Sequence, residues 1–327
     1  MDSYLWSSTN AKPDALHFLV ALYFALCFPL ARFLLDRFIF RRLSFWLLSN
    51  GCAPSRMNIE ATQAIIAKCS ESMWKLTYFA TAETWVLKIT YNEPWFRDVK
   101  GYFRDWPNQE LKISLSLLYM CQCGFYIYSI VALLTWETRR KDFAVMMSHH
   151  VITATLIGCS YVTRYPSMKK INYNWLVYSF FRIGSVVLAL HDASDVFLEA
   201  AKIFKYSRRE RCASVCFGLF SISWLLLRLI LFPFWVIKSS SYDVMEFLHP
   251  SDLYPKFLYY FLNTMLLMLL VFHVYWWVLI CSMIMRQWHN RGKIQRMMVT
   301  ELNVIKPLFL VAMPNPEEIR CCGFVLN

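Results

Sequence analysis

Two neighbouring stretches of the chain concentrate residues able to move protons. The first reads Met146-Met147-Ser148-His149-His150-Val151-Ile152-Thr153. The second reads Leu190-His191-Asp192-Ala193-Ser194-Asp195 and leaves through Glu199 and Lys202. Neutral imidazole near pH 7 is the usual general base, and a carboxylate on its other nitrogen fixes the tautomer and stabilises the imidazolium. Imidazole can also attack an activated acyl carbon directly, giving an acyl-enzyme. Such groups can instead only satisfy one another between helices, as a lone histidine usually does. Five titratable groups in two facing turns favour a reaction site, with His149 or His150 as base or acyl acceptor and Asp192 and Asp195 orienting it, His191 beside them.

Helical geometry is what makes the two stretches meet. Each lies in an apolar run, the fourth and fifth along the chain, joined by a short loop containing Arg164, Tyr165 and Pro166. Antiparallel helices put the start of one and the end of the other on the same membrane side. His149 and His150 then lie roughly 8 Å inside the start of the fourth run. His191–Asp195 fall in the last turn of the fifth or just beyond. His191 and Asp195 are four residues apart and Asp192 and Asp195 three, so they share a face. Adjacent His149 and His150 point about 100° apart and cannot do identical jobs.

The elements that carry these residues belong in a membrane. Of 327 residues 57% are hydrophobic, only 17% are charged and 17% are aromatic, and the mean hydropathy is +0.37. Soluble domains run about 45–50% apolar and about 25% charged. With 8 Gly and 12 Pro, collagen-like and linker-rich classes are excluded. Seven candidate spans can be drawn, at 16–35, 74–91, 113–134, 144–162, 175–193, 215–237 and 257–283, each near the ~20 residues a crossing needs. The second is the weakest, because it carries Lys75, Glu83 and Lys88. The expected fold is all-α, a polytopic bundle of about seven transmembrane helices. Residues 1–68 would hold a luminal stub, the first span and a basic cytosolic loop, 69–285 the catalytic membrane domain, and 286–327 a cytosolic tail.

The formal net charge of +12 reads as the cytoplasmic excess of Lys/Arg in a membrane protein rather than as a nucleic-acid footprint. The loops at 36–73, 135–143 and 194–214 and the tail hold 19 Lys/Arg, against 10 in the stub and the intervening loops. That bias puts the C-terminus in the cytosol. The start reads as having no removable signal peptide.

Other chemistries fit less well. Seven histidines without repeated close spacings do not make a membrane di-iron centre. One zinc on His149 or His150, His191 and a carboxylate is chemically allowed, and a proton-relaying transporter stays open. Arg182, nine residues before His191, either contacts a substrate or bonds to carbonyls. Arg228 and His273 read as helix–helix glue. Arg139-Arg140-Lys141 and the cations from Lys202 to Arg211 flank the proposed site, as positive-inside topology or as a phosphate-binding rim.

These residues carry a resemblance. Glu137-Thr138-Arg139-Arg140-Lys141-Asp142-Phe143, followed by Met146, Ser148, His149, His150 and Thr153, resembles the central motif of the TRAM–Lag–CLN-type (TLC) membrane domain. Phe181-Arg182-Ile183-Gly184 and His191-Asp192, Ser194-Asp195, Glu199 and Lys202 extend it toward the longevity-assurance signature of ceramide synthases, and flanking stretches resemble the plant branch. The 36–73 loop is too short for the homeodomain-like insert of many animal members. The resemblance implies a multi-pass enzyme of the endoplasmic reticulum membrane, moving a fatty acyl group from acyl-CoA to the amine of a sphingoid long-chain base. It places the essential residues on His149, His150, Asp192 and Asp195. Acyl-CoA enters as co-substrate with no further cofactor and no metal; membrane lipids are partners and nucleic acid is not. A homo- or hetero-dimer stays open, as does a non-catalytic TLC protein that binds or moves lipids.

Overall fold

The computed structural model describes residues 10–11, 16–49, 59–96, 98–103, 109, 111–137, 142–161, 163–166, 175–178, 180–246 and 253–311. Apolar runs without internal glycine or proline clusters wind into helices, the form that satisfies every backbone group from within in lipid. Helix α1 (His17–Leu35) passes through a π-helical turn, Asp36–Phe40, into α2 (Arg41–Ser49). Then come α3 (Ile59–Thr90), α4 (Ile113–Thr135), α5 (Phe143–Tyr161), α6 (Phe181–Tyr206) and α7 (Glu210–Ser223). A π-helical stretch, Trp224–Ile237, continues α7 into the short α8 (Lys238–Ser241), and α9 covers Leu253–Val311. Two small antiparallel pairings complete the described elements: β1 (Asn10–Ala11) with β2 (Leu111–Lys112), and β3 (Thr163–Pro166) with β4 (Trp175–Tyr178).

The architecture is that of a polytopic all-α membrane protein. Five helical segments are long and apolar enough to cross a bilayer: His17–Leu48, Ile113–Thr135, Phe143–Tyr161, Glu210–Met245 and Lys256–His289. The expected spans 74–91 and 175–193 are not among these five; residues 74–90 belong to α3 and 181–193 to α6. The chain divides into two compact units, 1–274 and 275–327. The second is helical through Val311. All that follows concerns the first.

Two expectations are corrected. The fifth run does not begin its helix at Trp175, because Trp175–Tyr178 pairs as a strand with Thr163–Pro166. A Trp-Leu-Val-Tyr run has strong β preference, and here it has a partner strand. The helix starts at Phe181, where the Phe180 amide donates to the Ser160 carbonyl (2.8 Å), and it lasts to Tyr206. His191–Asp195 therefore stand in the middle of α6, not in its last turn. The second run is also longer than expected, since α3 begins at Ile59. Its Lys75 is neutralised by Glu71 (2.7 Å) and by Glu137 (3.3 Å), beyond the end of α4.

Two devices fix how the helices sit. Phe28 of α1 meets Tyr78 of α3 (ring centroids 5.6 Å) and Phe125 of α4 (5.5 Å), while Tyr78 and Phe125 stack at 3.4 Å. Beside them the Arg32 guanidinium donates to the Tyr128 hydroxyl (3.0 Å). Gly124 lets α4 approach α1 closely: a Cβ there would lie 2.6 Å from the Ala21 carbonyl oxygen and 2.8 Å from Phe24 Cβ. Small residues at such crossings are the usual route to close helix contact in lipid, where no hydrophobic force joins helices. With α1 on α4 and α3 on α6, the polar face of α6 is turned inward.

Candidate active site

On α6 the side chains of His191 (3% exposed), Asp192 (1%) and Glu199 (3%) are buried. Groups of this kind are tolerated only when hydrogen-bonded, and each has a partner. His191 Nδ1 faces the Val187 carbonyl at 2.7 Å, so Nδ1 holds the hydrogen and donates it. His191 Nε2 then accepts, and it lies 2.9 Å from His273 Nε2 on α9. Asp192 Oδ2 accepts from Gln122 Nε2 of α4, and Gln122 Oε1 in turn accepts from the Tyr78 hydroxyl (2.6 Å). Asp195 Oδ2 accepts from Arg228 (2.7 Å), which also donates to the His191 carbonyl (2.5 Å) and lies 4.0 Å over the Trp224 ring. Glu199 pairs with Lys202 at 2.6 Å.

Helix α5 brings the other imidazoles to this face. The rings of His149 and His191 lie 6.3 Å apart and nearly parallel (23°). His150 is 5.6 Å from His149 and 5.6 Å from the Tyr126 ring of α4. With His191 and His273 at 4.7 Å, four imidazoles run in sequence from α5 through α6 to α9. Phe272 closes edge-on against His149 and Phe232 against His191. His150 Nδ1 is sealed from water and has no hydrogen-bond partner among the described residues.

The two helices thus join the histidine pair to His191, while the carboxylates are held differently from the expectation. Asp192 is taken up by Gln122 and Asp195 by Arg228. Arg182 donates to the Gly101 carbonyl (2.9 Å) and lies 5.9 Å over Trp95. Arg139, Arg140 and Lys141 lie outside the described residues. Arg228 and His273 do join helices, but they do so at His191 itself. Gln122, Tyr78 and Tyr126 were not singled out. An amide in the middle of the 113–134 run was the one visible signal for Gln122, whereas tyrosines are too frequent in this chain to mark a site. No group of three His, Cys, Asp or Glu able to hold a metal ion occurs among the described residues.

A cavity opens from this cluster. Its wall follows α6 from His191 to Phe180, roughly 16 Å at 1.5 Å per residue. It follows α9 from Leu269 to Tyr259, and half of the lining residues are Leu, Ile or Val. His191, Tyr126 and Thr153 line it. His149 stands one turn behind Thr153, whose hydroxyl donates to the His149 carbonyl (2.8 Å). A long apolar pocket with a few convergent polar groups is the usual form of a ligand site, and the lining of this one is of the kind that takes up hydrocarbon.

Residues 68–282 match the family model of the TLC domain. The chain is 58% identical to Ceramide synthase LOH2 of Arabidopsis thaliana, over 85% of this chain and 89% of that one. It is 55% identical to ASC1-like protein 3 of Oryza sativa subsp. japonica, over 86% and 94%. With Ceramide synthase 1 LOH3 of Arabidopsis thaliana the identity is 47%, over 87% and 90%.

Proposed function

We propose, for a chain that belongs to the TLC-domain family and within it to the ceramide synthases, that it transfers a fatty acyl group from acyl-CoA to the amine of a sphingoid long-chain base. The observation that carries this is the row of imidazoles at the head of a long, largely apolar cavity. The reaction forms one amide bond and breaks one thioester. The thioester supplies the driving force, so acyl-CoA is a co-substrate and no resident cofactor is called for.

The sphingoid amine, with the basicity of a lysine amine, is mostly protonated near pH 7. An imidazole of the His149–His150 pair takes that proton, or takes the acyl group first and passes it on. A hydrocarbon tail lies in the cavity between α6 and α9, which leaves the reacting carbonyl at its head beside His191 and Tyr126. The roles of the carboxylates follow from their partners. Asp192 is held by Gln122 on the side of α4 and Asp195 by Arg228, and their negative charge on α6 favours imidazolium at this face. Arg139, Arg140 and Lys141, three successive cations just before α5 in sequence, contact the CoA phosphates. The compartment that fits these substrates is the endoplasmic reticulum membrane.

Purified protein in lipid–detergent micelles, given acyl-CoA and a long-chain base, should release CoA and N-acylated base by mass spectrometry. His149→Ala and His150→Ala should each abolish product while leaving the protein membrane-inserted. A wild-type preparation that binds both lipids but forms no amide would make it a lipid handler. Full turnover in both alanine variants would remove the imidazoles from the mechanism.

A further inference from the structure

Most polar side chains around the imidazoles are committed. Gln122 is bonded to Asp192, Arg228 to Asp195 and the His191 carbonyl, and the Thr153 hydroxyl to the His149 carbonyl. Among the tyrosines, Tyr78 donates to Gln122, Tyr119 to the Phe181 carbonyl (2.8 Å) and Tyr259 to the Ser241 carbonyl (2.8 Å). The backbone amides of α4, α5 and α6 are used within their own helices. Tyr126 is not committed. It is only 6% exposed, its ring stands 5.6 Å from His150, and it borders the cavity together with His191 and Thr153. Its hydroxyl has no hydrogen-bond partner among the described residues, yet it is not among the polar atoms sealed from solvent. Buried phenols almost always find an acceptor. One that faces a cavity beside the reacting groups is placed to find it on the ligand.

We propose that Tyr126 is a catalytic residue of the acyl transfer, its O–H donating a hydrogen bond to the acyl carbonyl oxygen at the head of the cavity. This rests on the N-acyltransferase reading above. The nucleophile, whether the free amine or an imidazole nitrogen, adds its lone pair to the carbonyl carbon, and the C=O π pair moves onto oxygen. Tyr126 keeps its proton and stabilises that oxyanion. The pair then returns, the C–S bond breaks, and its electrons leave on sulfur. When the amine attacks directly, its proton passes to an imidazole and on to the thiolate, and the products are the amide and CoA thiol. When an imidazole nitrogen attacks, this collapse gives an acyl-imidazole and the thiolate; the amine then adds to the same carbonyl, the bond to the imidazole breaks with its electrons returning to the ring, and the amine's proton reaches the thiolate through an imidazole. A neutral donor suits this position, since it strengthens as charge develops on oxygen and needs no counter-ion in a low-dielectric interior.

The test compares Tyr126→Phe with wild type, both purified, with acyl-CoA and long-chain base and product read by mass spectrometry. Loss of one oxyanion donor lowers kcat about 100- to 1000-fold, with KM for both substrates within about threefold and the thermal midpoint not lowered. Genetically encoded 3-fluorotyrosine at 126, which keeps the donor, should retain at least about a third of wild-type kcat. Tyr126→Phe within about threefold of wild type would overturn the proposal. So would a loss that tracks a fallen thermal midpoint, or one that fluorotyrosine does not restore. If wild type itself makes no amide, the acyltransferase reading fails; if wild type and Tyr126→Phe are both active, only the role of Tyr126 does.

Discussion

Gln122 should behave as the residue that aims Asp192. Its side chain is 1% exposed, its amide nitrogen donates to Asp192 Oδ2, and its amide oxygen accepts from the Tyr78 hydroxyl at 2.6 Å. Gln122→Leu keeps the volume and removes both bonds. Interhelical side-chain hydrogen bonds in membrane proteins contribute about 0.6–2 kcal/mol each, so the variant should lose about 1–3 kcal/mol and still fold. The larger effect falls on turnover. Without its donor from α4 the Asp192 carboxylate is free to swing, and displacement of a catalytic group by about 1 Å costs about 100-fold. Tyr78→Phe strips only the outer bond, leaving Gln122 on Asp192. At about 1.4 kcal/mol per tenfold, a loss of about 0.6–1.4 kcal/mol corresponds to about three- to tenfold.

The assay is N-acylation by microsomes carrying each variant, normalised to the monodisperse protein recovered in mild detergent. The expected order is wild type, then Tyr78→Phe, then Gln122→Leu, with Asp192→Asn at background. If Gln122→Leu stays within about threefold of wild type per folded molecule while Asp192→Asn is dead, Asp192 needs no guidance from α4. The chain of reasoning from Tyr78 through Gln122 to Asp192 then fails.

Two further outcomes follow from the packing. Arg228→Met strands the Asp195 carboxylate beside the His191 carbonyl, and breaking a buried pair from one side costs about 3 kcal/mol. The double variant Arg228→Met/Asp195→Asn should recover most of that loss in a detergent thermal melt without recovering turnover, whereas equal stability of single and double variants would show that the pair is not coupled. Gly124→Leu drives a side chain into the Ala21 carbonyl and Phe24, at an overpacking cost of about 1–3 kcal/mol or more. It should lower the thermal midpoint and weaken cross-linking between cysteines placed on α1 and α4; unchanged cross-linking would mean that the helices do not need that close approach.

The sequence made legible what depends on one segment at a time. Apolar runs at 113–134 and 144–162 became α4 and α5 within a residue or two, because hydrocarbon thickness and backbone satisfaction dictate both length and form. The meeting of His149 with His191 was legible too, since it needs only two adjacent helices. Most of what failed depends on partners from elsewhere in the chain. Trp175–Tyr178 is equally apolar as helix or strand, and its state was decided by Thr163–Pro166 across a turn. The length of α3 was hidden because the added turns, 59–73, carry Glu60, Lys68 and Glu71 and so do not extend the apolar run that begins at Trp74.

The carboxylates illustrate the same limit at the site. Spacing along α6 says that His191, Asp192 and Asp195 share one half of a helix, but a helix face is wide and neighbours approach it from several sides. Rotating α4 by one residue, about 100°, would take Gln122 off Asp192 and put Cys121 or Cys123 there instead. What holds α4 in its rotation is remote from the chemistry: the Phe28–Tyr78–Phe125 stack and the bare backbone at Gly124. Tyr78 belongs to both systems, its ring packed in that aromatic stack and its hydroxyl at the outer end of the bonds leading to Asp192. The aim of Asp192 is therefore set by aromatic packing between α3 and α4, and a motif read along α6 alone carries no record of it.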